Sequence, residues 1–128
     1  MVTLNEFRSW DSRVLVAASD SLMHRWREVA AVHDSVTDDI VGDGWAGPAA
    51  EAAREAMRRI RSDLADAAAE LLRIATCTAD ASIDMAGLVA ALRSVERTAA
   101  DERFAVASDG SVFDLAASYS VALVDLWS

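Results

Sequence analysis

Two histidines, one cysteine and a crowd of carboxylates are the residues of this chain with the chemistry to catalyse or to bind a metal. His24 and His33 stand nine residues apart, so they do not stack at the one-turn spacing of a helical metal pair. No cysteine–histidine cluster accompanies them, and both read as surface or boundary residues. Cys77 lies beside Thr78 and reads as a small apolar side chain; a reactive thiol needs a lowered pKa, and nothing basic is adjacent to it in sequence. Asp38, Asp39 and Asp43 form an acidic group but lack the glycine-punctuated loop of a calcium site. Arg54, Arg58, Arg59 and Arg61 are interleaved with Glu51, Glu55, Asp63 and Asp66, which leaves the local charge near neutral. Weak ion pairs are expected there, with Arg54 near Asp34 or Asp38 and Arg61 near Glu28. There is no nucleophile elbow and no phosphate-cradling glycine loop. No catalytic, cofactor-binding or metal-binding residue is assigned, and an enzyme is not expected.

The elements that position these residues are bounded by composition. At 128 residues the chain reads as one domain, residues 1–128. Four tryptophans and 53% hydrophobic residues exclude wholesale disorder. A net charge of -9 argues against a nucleic-acid backbone and against an anionic membrane surface. The N-terminus has no basic region followed by an apolar stretch, so no Sec-type signal peptide is read, and no apolar run approaches the roughly 20 residues of a membrane span.

Periodicity fills in the rest. Leu15, Ala18, Leu22, Trp26, Val29, Val32, Val36 and Ile40 recur at spacings of three and four, predicting a helix over 11–41 behind an Asp11 cap. Gly42 stands where a left-handed residue would end it. Pro48 suits the first turn of the next helix, predicted over 48–103. Its seam runs through Met57, Ile60, Leu64, Leu71, Met85, Leu88 and Leu92, and the weak helix formers Thr76, Cys77, Thr78 and Ser82 allow a kink or break at 76–84. Leu4, Phe7 and Trp10 line a short helix over 3–10 capped by Thr3. Asp109-Gly110, between Val106 and Val112-Phe113, signals a two-residue hairpin within 104–113. Leu115, Tyr119, Ala122 and Leu126 predict a C-terminal helix over 114–127 behind Asp114. The fold class expected is all-α: a long antiparallel helical hairpin with a short N-terminal helix, a small Asp-Gly β-turn and a C-terminal helix.

The break between the long helices reads Gly42-Asp43-Gly44-Trp45-Ala46-Gly47-Pro48, followed by Ala49-Ala50-Glu51-Ala52-Ala53. A Trp-x-Gly turn in this position resembles the WXG-motif family of type VII (ESX) secretion. Ser9-Trp10-Asp11 before the first helix, and the segment from Phe104 to Val112, are closest to the N-terminal helical domain of longer actinobacterial effectors; the likeness covers residues 3–113. It implies a helical hairpin that pairs with a small WXG-type protein or with a second copy into a four-helix bundle. It also implies contact with the secretion ATPase, and passage from cytoplasm to the cell surface or medium without a signal peptide. Trp45, Gly47 and Tyr119 are the residues it assigns to export or partner recognition, and Leu15, Leu22, Trp26, Met57, Ile60, Leu64, Leu71, Met85, Leu88 and Leu92 would pack against the partner. One departure stands out. The family's export motif places an acid four residues after tyrosine, whereas Leu123 follows Tyr119 at four and Asp125 at six. A cytosolic coiled-coil adaptor or secretion chaperone that stays inside the cell is the alternative.

Overall fold

The computed structural model describes residues 1–37 and 41–117. It is mostly helical: α1 (Leu4–Arg8), α2 (Ser12–Ser35) and α3 (Pro48–Asp101), followed by a two-stranded sheet of β1 (Phe104–Val106) and β2 (Val112–Asp114). The chain forms two compact units, Arg13–Ala81 and Met1–Ser12 with Ser82–Ser128. Helix length accounts for this. At about 1.5 Å per residue α3 is about 80 Å long against about 36 Å for α2, so no single neighbouring helix can cover it from end to end.

In the Arg13–Ala81 unit the buried residues are small: Ser19, Val41, Ala50 and Ala75. The Ser19 hydroxyl donates to the Ala75 carbonyl at 3.0 Å. The covered face of α2 therefore runs through the buried Ser19 and the half-buried Leu15, Leu22, Trp26, Val29, Ala30 and His33, while Ala18 and Val32 are exposed. The expected stripe keeps to this face at Leu15, Leu22, Trp26, Val29 and Val36 and leaves it at Ala18 and Val32; following apolar character, it skipped Ser19, the residue at the intervening turn. Helix α2 ends at Ser35 and not at residue 41. The Ser35 hydroxyl takes the Val32 carbonyl at 2.7 Å, and Val36 and Thr37 are poor helix formers. Gly42 consequently caps nothing and is not left-handed; its carbonyl instead accepts from the Trp45 N–H at 3.0 Å, closing a turn.

Gly47 has φ 102, a conformation that disfavours any side chain, and its carbonyl accepts from the Glu51 N–H at 3.1 Å at the start of α3. From Pro48 the helix continues without a break through 76–84. Thr76 and Thr78 turn their hydroxyls back onto the carbonyls of Leu72 and Ile74, at 2.9 and 2.8 Å, which accommodates them in the helix.

The other unit is built on polar ties. Thr3 and Glu6 form a reciprocal capping box at the start of α1. Phe7 and Trp10 meet with ring centroids 4.9 Å apart. Arg8 donates to Glu96 at 2.5 Å and to the Val106 carbonyl at 3.1 Å, joining α1 to α3 and β1. Helix α3 ends at Asp101, two residues before the expected boundary; Arg103 then takes φ 65 and reverses the chain into β1. The strands pair antiparallel, Phe104 with Asp114 and Val106 with Val112.

Their loop has three residues, not the two that Asp-Gly suggests. Ala107 N–H bonds the Ser111 carbonyl at 2.8 Å and Gly110 N–H bonds the Ala107 carbonyl at 3.0 Å, with Gly110 at φ 87. This is a type I turn followed by a left-handed glycine. The Asp109 carboxylate accepts from the Ser111 hydroxyl at 2.6 Å and amide at 2.9 Å, which holds its pKa below the ordinary aspartate value. A depressed carboxylate contributes stability above its unfolded pKa and loses it as pH falls through the folded one. Acidification below the ordinary aspartate range is therefore expected to lower the protection of the Gly110 and Ser111 amides, measured against their intrinsic exchange rates at the same pH. Exchange monitored by NMR checks this; the Asp109→Asn variant should show the lowered protection already at neutral pH.

Past β2, Asp114 accepts from the Ala116 and Ala117 amides at 2.8 and 3.3 Å, as a helix cap would. Tyr119 and the rest of the expected C-terminal helix lie outside the described residues, as does Ile40.

Candidate interaction surface

The seam of α3 separates into two columns, each recurring every seven residues. Met57, Leu64, Leu71, Thr78, Met85, Leu92 and Ala99 are all half-buried. Ile60, Ala67, Ile74, Ala81, Leu88 and Val95 are all exposed, with Ile60 at 45% and Leu88 at 55%. Among the sequence-derived seam residues, Leu15, Leu22, Trp26, Met57, Leu64, Leu71, Met85 and Leu92 are thus half covered by their own chain, whereas Ile60 and Leu88 are left to solvent. On α2, Val14, Val16 and Val32 are exposed as well. No large side chain is fully buried among the described residues. Isolated exposed apolar residues are ordinary; a regularly spaced row of them along a helix marks a binding surface.

Trp45 is 50% exposed at the turn, with Val41 and Ala50 buried on either side of it in sequence. Arg54 donates to the Trp45 carbonyl at 2.8 Å, fixing the turn from the first coils of α3. Arg54 is thereby placed on the turn, and Asp38, one of its two expected partners, lies outside the described residues. The other ion pairs here also run along one helix, Glu55–Arg58 at 3.2 Å and Glu70–Arg73 at 2.6 Å. The pair lowers the Glu70 pKa and raises that of Arg73, chiefly through their hydrogen bonds.

The residues with metal or nucleophile chemistry do not converge. His24 bonds Glu28 at 3.3 Å, His33 bonds Asp34 at 3.1 Å, and Cys77 is exposed. No group of three or more metal-binding side chains exists among the described residues.

Sequence reasoning missed two features. One is the exposure of Val112, Phe113 and Leu115 around β2. Beside them a shallow groove of about 310 Å³ is lined by Val95, Thr98, Ala99, Glu102, Phe104 and Val112. The other is that α3 is long and apolar enough, by length and composition, to cross a membrane, although little of that stretch is buried. It carries no unbroken apolar run because Ala, Thr, Cys and Gly share it with Asp80 and Asp84. These small residues satisfy a window average without forming a run of large apolar side chains.

No family model, curated protein or solved structure matches the chain.

Proposed function

We propose that the chain is a non-catalytic pairing module of a type VII secretion system, acting as a substrate, or as the targeting domain or partner of one. In this reading α2 and the first part of α3 form an antiparallel hairpin with the Trp45 turn at its end, and a helical hairpin from another molecule completes a four-helix bundle. The observation that carries it is the exposed column of α3. Ile60, Ala67, Ile74 and Ala81 keep the heptad register of a helix-pairing seam yet remain in solvent. The Ser19–Ala75 hydrogen bond supports a close approach of α2 and α3 within the hairpin. The half-exposed Trp45, held by Arg54, supports a recognition role for the turn.

A second reading keeps the pairing and removes the export: a cytosolic adaptor or secretion chaperone. The missing acid four residues after Tyr119 favours it. Detection in culture filtrate, dependent on the secretion ATPase, separates the two. Under the export reading Trp45→Ala abolishes the filtrate signal while leaving intracellular abundance unchanged. Undiminished export of that variant removes the recognition role from Trp45.

A further inference from the structure

The exposed stripe of α3 in the Arg13–Ala81 unit has one covered flank and one open flank. On the covered side runs the half-buried column of Leu64, Leu71 and Thr78. On the open side, three residues beyond Ile60, Ala67 and Ile74, stand Asp63, Glu70 and Cys77. The residues flanking a helix-pairing seam choose the partner through their charges, since like charges set against one another are repelled and opposite charges pair. Both ionised members of this flank are acids. Glu70 shares its charge with Arg73, whereas Asp63 has no ion-pair partner among the described residues. A second copy would bring the same acidic flank, and it would bring a further chain of net charge -9. Net charge of that size keeps a protein monomeric against its own kind.

We infer that the occupant of the Ile60–Ala67–Ile74–Ala81 stripe is a helix of a different chain, apolar along its own seam and flanked by Arg or Lys, and not a second copy of this protein. The inference rests on the pairing reading above and deepens it. Apolar contact supplies the affinity, and the charges at Asp63 and Glu70 supply the choice of partner.

The probe is a charge-reversed copy of the chain, Asp63→Arg with Glu70→Arg, mixed with the native chain and followed by sedimentation velocity. Each chain alone stays monomeric at concentrations where the equimolar mixture forms a 1:1 complex, with a preference of about tenfold for the mixed pair. Raising the salt from low to high concentration erodes that preference, because exposed charge pairs are screened. If the native chain pairs with itself as tightly as with the reversed copy, the charge inference is overturned and the pairing reading stands. If no combination associates while circular dichroism finds both chains helical, both are overturned. Asp63→Arg alone, which keeps the Glu70–Arg73 pair, replaces the double variant should the latter lose helix; its expected preference is about threefold.

Discussion

Leucine in place of Ala75 is expected to destabilise the Arg13–Ala81 unit by about 2 kcal/mol, the scale of overpacking a closed interior. Ala75 is 1% exposed, and its carbonyl accepts the buried Ser19 hydroxyl. Among the described residues no large side chain is fully buried, so the tightest approach of α2 to α3 is made by two small residues. A leucine side chain there must push the helices apart or leave its rotamer, and separation would also leave the Ser19 hydroxyl and the Ala75 carbonyl without each other. Thermal melting by circular dichroism should fall by roughly 5–10 °C. The control is Ala69→Leu, on the exposed side of the same helix, which should leave the midpoint within about 0.5 kcal/mol of the native chain. Equal midpoints for the two variants would show that Ala75 does not sit at a tight crossing.

How much of this was legible in the sequence follows from which signals are local. Thr3 announced the start of α1 because a cap is satisfied within one turn, and Pro48 marked the start of α3 because its missing N–H fits only the first turn. The seam of α3 was legible as a periodicity. What the sequence did not reveal was its division into a covered and an uncovered column, since both carry the same residue types. Leu64 and Ile60 differ in burial only through what the rest of the chain places beside them.

The errors have the same origin. Ser19 was passed over because a hydroxyl does not read as core until its acceptor, the Ala75 carbonyl, is in view 56 residues away. Gly42 looked like a helix stop because glycine favours that role, but Ser35 and the β-branched pair after it ended α2 first. Asp109-Gly110 signalled the hairpin correctly and its loop length wrongly: both loop types want glycine in a positive-φ position, and the bond from Ala107 to Ser111 is what distinguishes them. The exposed apolar residues around β2 had no signal at all, because alternation in a three-residue strand is too short to read.

Lysine at both Ile60 and Ile74 is expected to abolish pairing while leaving the fold intact. Both isoleucines already face solvent in the isolated chain, so replacing them removes little that holds α3 in place, and the melting midpoint should stay within about 1 kcal/mol of native. In a complex the same positions would be covered. Covering the exposed remainder of each isoleucine, 45% of Ile60 and 38% of Ile74, contributes about 1 kcal/mol, and a lysine in its place adds the desolvation of an ammonium group. The two changes together should weaken association by about 3 kcal/mol or more, at least a hundredfold in Kd. Titration against the charge-reversed copy reads the effect directly. The outcome separates two roles for the same residues. A large loss of affinity with an unchanged melt assigns the exposed column to a partner. A large fall in the melt assigns it to the chain's own packing, and unchanged affinity in a folded variant would move the interface off α3 altogether. Leu64 offers the opposite case: half-buried already, it belongs to the column that holds the chain together, so Leu64→Lys should lower the melt first and impair pairing only as a consequence.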